Sequence, residues 1–485
     1  MRKNQILNPL GHRHSLFLSL ILPINIFWLI LFFLGYPLPH IDDLAFTGAA
    51  VNLARNGDYF NPLLAVWNER LLERFYIQPP FSQYTLAAWL WLFGVSTRSF
   101  LLFQCLCYNI FSIFTALIFR KYGFSKIATA FTIVCFAFWM LNVGLRCEAL
   151  GMAFLAVGVW SLTKDTPLRY FWGFFFLGAS ILTTPISLAY AVPFGLAIAK
   201  VNWDSAASIN RSYLQQRIGA WLAAFSLNSL LFLVCIKFQL SLFIQDMAWH
   251  SSFRRAPFQQ AFAEILFLMQ HGYGELIYSS LFLCHFCLCL VVLVRRKKFS
   301  KKLVAIVILM NLGIALNFFI YFRAITGAIS FFSWVCITLI LDEITYKHSP
   351  FRLLVTSLVT IVFFLNQSLT IVTLAGIHQE PQSSYQEISN YVRSHPNQNY
   401  AIDSIAARFV FDYHLPPRSI DWSFSNRAPL FWPTSLSQKP PNRTWIISSF
   451  STTFMPETPD IPKIKLLGRT FNTLSSHPYH VMIIE

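Results

Sequence analysis

Apolar residues along this chain come in runs much longer than the alternation of a half-buried strand or the stripe of an amphipathic helix. The first lies at about residues 14–38. Others follow near 99–119, 127–144, 149–163, 170–184, 186–200, 217–243, 276–294, 303–322, 324–341 and 353–375. A bilayer core of about 30 Å is crossed by roughly 20 helical residues, so the pattern predicts about eleven transmembrane helices. The stretch 170–200 is divided at Thr183-Thr184-Pro185, because a proline beside polar residues is a natural turn. The apolar part of the first run is too long for a signal peptide and no small-x-small site follows it, so it reads as an uncleaved span.

Two segments break this pattern. Residues 39–98 lie between the first and second spans and carry two short helices. One starts at Asp42 or Asp43, places Phe46, Ala50 and Leu53 at helical spacing, and stops at Asn56-Gly57. The other starts at the proline pair of QPPFSQYTLAAWLWLFG, with Pro80 in its first turn, and ends at Gly94. It is aromatic and too short to cross a bilayer, which predicts an interfacial position. From about residue 376 the composition turns polar. YQEISNYVRSH and SIAARFVFDYHL read as helices, and NYAID, TWIISSF and YHVMIIE as strands, so 376–485 is expected to form a small α/β domain behind a transmembrane domain of 1–375.

The formal charge of +16 raises the question of a nucleic-acid partner. Eleven spans with a cytoplasmic N-terminus put 1–13, 120–126, 164–169, 200–217, 295–302 and 342–352 inside. These segments hold 19 of the 37 Lys and Arg and four of the 21 acids, Asp165, Asp204, Asp342 and Glu343, which leaves 18 basic and 17 acidic residues elsewhere. The excess is therefore cytoplasmic. This is the positive-inside pattern of a multi-pass plasma-membrane protein with its C-terminal domain extracytoplasmic, and it removes the case for nucleic acid. The nine cysteines fall in or beside spans, so no disulfide framework is expected. CHFCLC at 284–289 has a metal-like spacing but no second ligand pair at finger spacing, and it reads as buried thiols. No cofactor is required by the sequence, and a divalent metal at the active site is left open.

Candidate chemistry gathers on the outer face. Asp42 and Asp43 follow the first span directly; one can cap the next helix while the other is solvated. The turn GLRCEALG carries Arg146 and Glu148 at the end of an apolar run, where charges are costly unless paired or hydrated. They form either a surface ion pair or one wall of an outer cavity facing Asp42-Asp43. Arg254, Arg255 and Arg323 are further outer cations suited to phosphate by their forked donors.

The first span, the acidic pair, GDYFNP, the proline pair before an aromatic helix, LFGVSTRSF, and the R-x-acid turn together resemble the GT-C superfamily of membrane glycosyltransferases. The nearest groups are the protein mannosyltransferases, the aminoarabinose transferases and the Rgt-type enzymes. The resemblance covers residues 14 to about 200. It implies transfer of a sugar from a polyprenyl phosphate to a lipid, glycan or protein acceptor at the extracytoplasmic face, as part of cell-envelope glycan synthesis. It also implies Asp42 as catalytic base, Asp43 as its acidic neighbour, and Arg146 and Glu148 as the R-x-acid turn, with Cys147 where proline is frequent. Gln78 stands where the family often has a phosphate-binding lysine, so Arg146, Arg254, Arg255 or Arg323 would have to meet the donor phosphate.

The alternative is a transporter or flippase of lipid-linked glycans. That class places ionisable groups near the bilayer midplane, whereas the acids here cluster at the outer ends of spans. A nucleotide-sugar donor would need a phosphate-binding loop and a folded cytoplasmic domain; no Gly-rich loop occurs, and the cytoplasmic segments are short.

Overall fold

In the computed structural model, the described residues are 22–33, 41–61, 69–143, 146–164, 166–184, 187–191, 193, 195, 211–254, 273–321 and 326–347, with 394, 400–402, 420–421, 444–448, 463–466, 469–473 and 479–484 in the tail. Helix α1, Leu22–Phe33, is the described part of the first expected span. Helices α2, Ile41–Asn56, and α3, Phe81–Phe93, stand where the two short helices were expected, with a 3-10 turn at Glu69–Leu72 between them. The chain leaves α2 and α3 through Gly57 and Gly94, at φ +79° and +82°, a backbone region glycine enters without a Cβ penalty. Helix α3 turns Leu86, Ala87 and Leu90 inward and leaves Trp91, Leu92 and Phe93 exposed, an apolar end of the kind a lipid interface favours.

Four helices follow closely: α4 Thr97–Tyr122, α5 Lys126–Val143, α6 Glu148–Leu162 and α7 Pro167–Ile181. Their ends are encoded locally. Ser96 caps α4 by accepting from the Ser99 amide at 3.2 Å, Gly123 closes it in the left-handed region, and Thr166 caps α7 ahead of Pro167. Then come α8 Arg211–Cys235, α9 Leu240–Arg254, α10 Tyr273–Val294, α11 Lys301–Tyr321 and α12 Thr326–Lys347. Among the described residues, Thr97–Tyr122 and Gln215–Cys235 are each long and apolar enough to cross a bilayer. The expected span 353–375 and most of 186–200 lie outside the described residues.

The core is built around α4. Trp28 of α1 stacks on Tyr108 at 4.9 Å between ring centroids, and Phe111 meets Phe136 of α5 at 3.8 Å. Small residues bring α6 and α7 together: a Cβ on Gly173 would stand 2.5 Å from the Leu162 side chain, and one on Gly151 would stand 2.5 Å from Thr184. Ser180 donates to the Gly151 carbonyl at 2.6 Å, and Asn228 of α8 donates to the Phe175 carbonyl at 3.1 Å. Close backbones held by small residues and interhelical hydrogen bonds suit helices whose association gains little from the hydrophobic effect in lipid. At the end of α12, Asp342 accepts from the Ser125 amide at 3.1 Å and Glu343 accepts from Ser300. Two acids of the expected inner segments thus cap the starts of α5 and α11.

One expected span is corrected. The apolar run 217–243 is not a single helix: α8 stops at Cys235, Lys237 and Phe238 take φ of +52° and +59°, and α9 begins at Leu240. Hydropathy does not mark this break. The last carbonyls of a helix have no partner within it, and here Tyr84 donates to the Cys235 carbonyl at 2.9 Å and Tyr76 to the Ile236 carbonyl at 2.8 Å. Hydroxyls from the segment 74–84 therefore satisfy the helix end.

In the tail, six strands form one sheet in the order β2-β1-β3-β6-β5-β4, with β1 Tyr400–Ile402, β2 Ile420–Asp421, β3 Thr444–Ser448, β4 Lys463–Leu466, β5 Arg469–Thr473 and β6 Tyr479–Ile484. Strands β1, β2 and β3 run parallel, and β3, β6, β5 and β4 are antiparallel neighbours. The three expected strands correspond to β1, β3 and β6, and the sheet adds β2, β4 and β5 to them. The two expected tail helices lie outside the described residues apart from Ser394, as does the expected boundary at 376.

Candidate active site

Helices α2 and α3 lie against each other and against α4. Gln83, fully buried on α3, accepts from the Ala50 amide of α2 at 2.9 Å. Gly48 lets the chain at Asn61 close over α2, since a Cβ there would meet the Asn61 amide at 2.7 Å. Below them the segment after α2 has its own aromatic core. Tyr59 sits 5.1 Å from Tyr84, 6.0 Å from Phe75 and 6.1 Å from Tyr76, centroid to centroid. Burial pushes the Tyr59 phenol well above its ordinary pKa, with the neighbouring Tyr84 adding to it, and burial raises Tyr84 to about 12. Both shifts favour the protonated phenol, and the Tyr84 hydroxyl donates to the Cys235 carbonyl at 2.9 Å.

A narrow cleft opens where these helices meet the α5–α6 turn. Thr47 of α2, Ser82 and Leu86 of α3, and Phe100, Phe103 and Gln104 of α4 line one part; Arg146, Cys147 and Leu150 line the rest. Gln104 fixes the turn by donating to the Arg146 carbonyl at 3.1 Å. Arg146 Nη2 lies 2.8 Å from Glu148 Oε1, with Glu148 buried and Arg146 about a quarter exposed. The two therefore form a mutual ion pair, and Arg146 also lines the cleft shared with Thr47 of α2. Burial pushes the Cys147 thiol well above its usual range, and the charge of Glu148 pushes the same way. Both effects favour the neutral thiol at Cys147.

The other expected site residues are placed as follows. Asp42 and Asp43 occupy the first turn of α2, four and five residues before Thr47 being Asp43 and Asp42 in turn; only their backbone is described. Gln78 is buried in the chain entering α3, its Oε1 has no hydrogen-bond partner among the described residues, and it does not line the cleft. Arg254 is the last residue of α9, with its side chain outside the description. Arg255 and Arg323 lie outside the described residues, Arg323 between the ends of α11 and α12.

Sequence reasoning missed an ionic anchor beside this site. Arg74 Nε donates to Asp246 Oδ2 of α9 at 2.7 Å, and Arg70 lies 3.5 Å from the same carboxylate, which is buried. The bond to Asp246 raises the Arg74 pKa above its ordinary value. A signal existed: Asp246 is a single acid in the apolar stretch LSLFIQDMAW, and a buried acid requires a cation. The space at this cleft is about 10 Å³, the scale of one water molecule, and Arg146 at its wall carries a forked donor set of the kind that suits phosphate or carboxylate. Glu148 pairs that cation at 2.8 Å.

Among the described residues the chain is a bundle of apolar helices with a narrow cleft where α2, α3 and α4 meet the R-x-acid turn. The chain superposes on the crystal structure of ArnT from Cupriavidus metallidurans bound to undecaprenyl phosphate, with a TM-score of 0.56, 12% identity, and coverage of 96% of this chain and 97% of that one. The likeness is one of fold. No family model matches the sequence, and no curated protein matches it.

Proposed function

We propose that the protein is a glycosyltransferase that moves a sugar from a polyprenyl-phosphate donor to an acceptor at the extracytoplasmic membrane face. The observation that carries this reading is the cleft that brings Arg146, the ion-pair partner of Glu148, to the same opening as Thr47, one turn along α2 from the acidic pair. The fold it shares with a protein whose crystal structure holds undecaprenyl phosphate supports the donor class.

In this reading an acid of the Asp42-Asp43 pair takes the proton of the acceptor hydroxyl or amine as it attacks the sugar. Arg146 meets the leaving phosphate and stabilises its growing charge in a site with little water. Glu148 holds the guanidinium in place between turnovers. Arg254, Arg255 and Arg323 are further candidates for the donor phosphate, which Gln78 cannot bind as a cation would. The exposed end of α3, with Trp91, Leu92 and Phe93, would lie against lipid and the donor's isoprenoid tail. Residues 376–485 would form a separate extracytoplasmic α/β domain. The topology follows from the basic inner segments.

The test is transfer by the purified chain in lipid. Polyprenyl-phosphate sugar should serve as donor and a nucleotide-sugar should not. Transfer from nucleotide-sugar in a preparation free of polyprenyl phosphate would reject both the donor and the outer site.

A further inference from the structure

The cysteine-rich stretch of α10 has no part in the proposed transfer, yet the fold gives it partners that its local sequence lacks. His285 and Cys289 are one helical turn apart and share a face of α10. Cys336 of α12 meets that face, and the three potential ligand atoms lie within 4.8 Å of one another, all from buried residues. Cys289 Sγ is 3.7 Å from Cys336 Sγ and 3.6 Å from His285 Nε2. A tetrahedral zinc ion has sulfur ligands at about 2.3 Å and imidazole nitrogen at about 2.0–2.1 Å, which sets sulfurs apart by about 3.8 Å and sulfur from nitrogen by about 3.5 Å. The two observed separations are close to those of a zinc site.

Asn311 of α11 completes the surroundings. Its Nδ2 donates to Cys289 Sγ at 3.3 Å, and its Oδ1 lies 3.1 Å from His285 Nε2. The first contact is the kind of outer-shell bond that orients a ligand and stabilises a thiolate. The second places a carboxamide oxygen beside the imidazole nitrogen of the cluster.

We propose that His285, Cys289 and Cys336 bind a divalent, thiophilic cation of the zinc class, with the Asn311 carboxamide at the fourth position, so that one ion joins α10, α11 and α12. Binding releases the two thiol protons, and the imidazole stays neutral with its proton on Nδ1. Two thiolates and a divalent ion sum to zero charge, the arrangement that costs least among apolar helices. A monovalent ion would leave a buried negative charge. The site is separate from the cleft at Arg146, so its failure would leave the transferase reading untouched, and the reverse also holds.

The test uses the full chain in detergent, purified by a tag without histidine, incubated with zinc chloride and desalted. The wild type should carry about one more zinc per chain than Cys336→Ser or His285→Gln, while Cys287→Ser, at an exposed position outside the cluster, should match the wild type. Cobalt in place of zinc should give the near-ultraviolet thiolate charge-transfer band and the visible bands of a tetrahedral ion. Equal zinc in wild type and Cys336→Ser, with both folded by circular dichroism, would overturn the site. So would the absence of the cobalt–thiolate band from the wild type, a readout that does not depend on any variant folding.

Discussion

Arg74 and Asp246 stand 172 positions apart in the chain and meet at 2.7 Å, joining the segment that enters α3 to the helix that follows the break at Cys235. Asp246 is nearly enclosed, with 5% of its side chain exposed, whereas the second cation, Arg70, is 45% exposed. Removing the acid would leave the Arg74 charge largely buried without its main partner. Asp246→Ala should therefore lower stability by about 3 kcal/mol or more, and Arg70→Ala by no more than about 1 kcal/mol. Thermal unfolding of both variants in the same detergent checks this; equal shifts would show that the anchor is not the Arg74–Asp246 pair.

Asp42 and Asp43 divide by role. Asp42→Asn should preserve folding, since Asn caps helices as well as Asp, and should reduce sugar transfer about a hundredfold or more through loss of the base. Asp43→Asn should reduce it less. Turnover with saturating donor is the measurement. The opposite order would move the base to Asp43, and near-normal rates in both would leave the pair a helix cap.

At Arg146 charge can be separated from shape. Arg146→Lys keeps a cation for Glu148 but loses the fork, whereas Arg146→Ala strands a buried carboxylate. Arg146→Ala should weaken donor use more than Arg146→Lys, and adding Glu148→Gln to Arg146→Ala should recover stability without recovering transfer. Recovery of transfer in the double variant would remove Arg146 from the site.

Tyr84 gives a pH dependence. Its pKa, raised by burial to about 12 in the folded chain, compares with about 10 in an unfolded one. The unfolded state therefore gives up its proton first. The contribution of this hydroxyl is complete below about pH 10 and is lost as pH rises through the folded value. Stability should fall over that alkaline window, and Tyr84→Phe should make the fall shallower. At neutral pH the same variant should cost about 1 kcal/mol for the lost bond to the Cys235 carbonyl. Denaturation midpoints across pH 8 to about 12 check both.

How much was legible beforehand depends on how local each signal is. The glycines at 57, 94 and 123 and the caps at Ser96 and Thr166 act within a few residues, so the ends of α2, α3, α4 and α7 could be read or understood from the adjacent sequence. Hydropathy runs marked α1, α4 to α8 and α10 to α12, because a long apolar run needs only length and composition to be seen, but they did not mark α9 as a separate helix. The R-x-acid turn was visible for the same reason: a charged pair after an apolar run is a local anomaly.

By itself, then, the sequence determined most of the helical segments among the described residues, and that charge gathers at their ends, since each depends on neighbours along the chain. Tertiary structure alone decided what those ends meet. Hydroxyls of Tyr76 and Tyr84 ended α8 inside an unbroken apolar run, Gln104 drew the Arg146 turn onto α4, and Cys336 came to His285 and Cys289 across two helices. Such pairings depend on the directions in which packed helices present their side chains, and spacing along one helix carries no record of the face that another will bring to it.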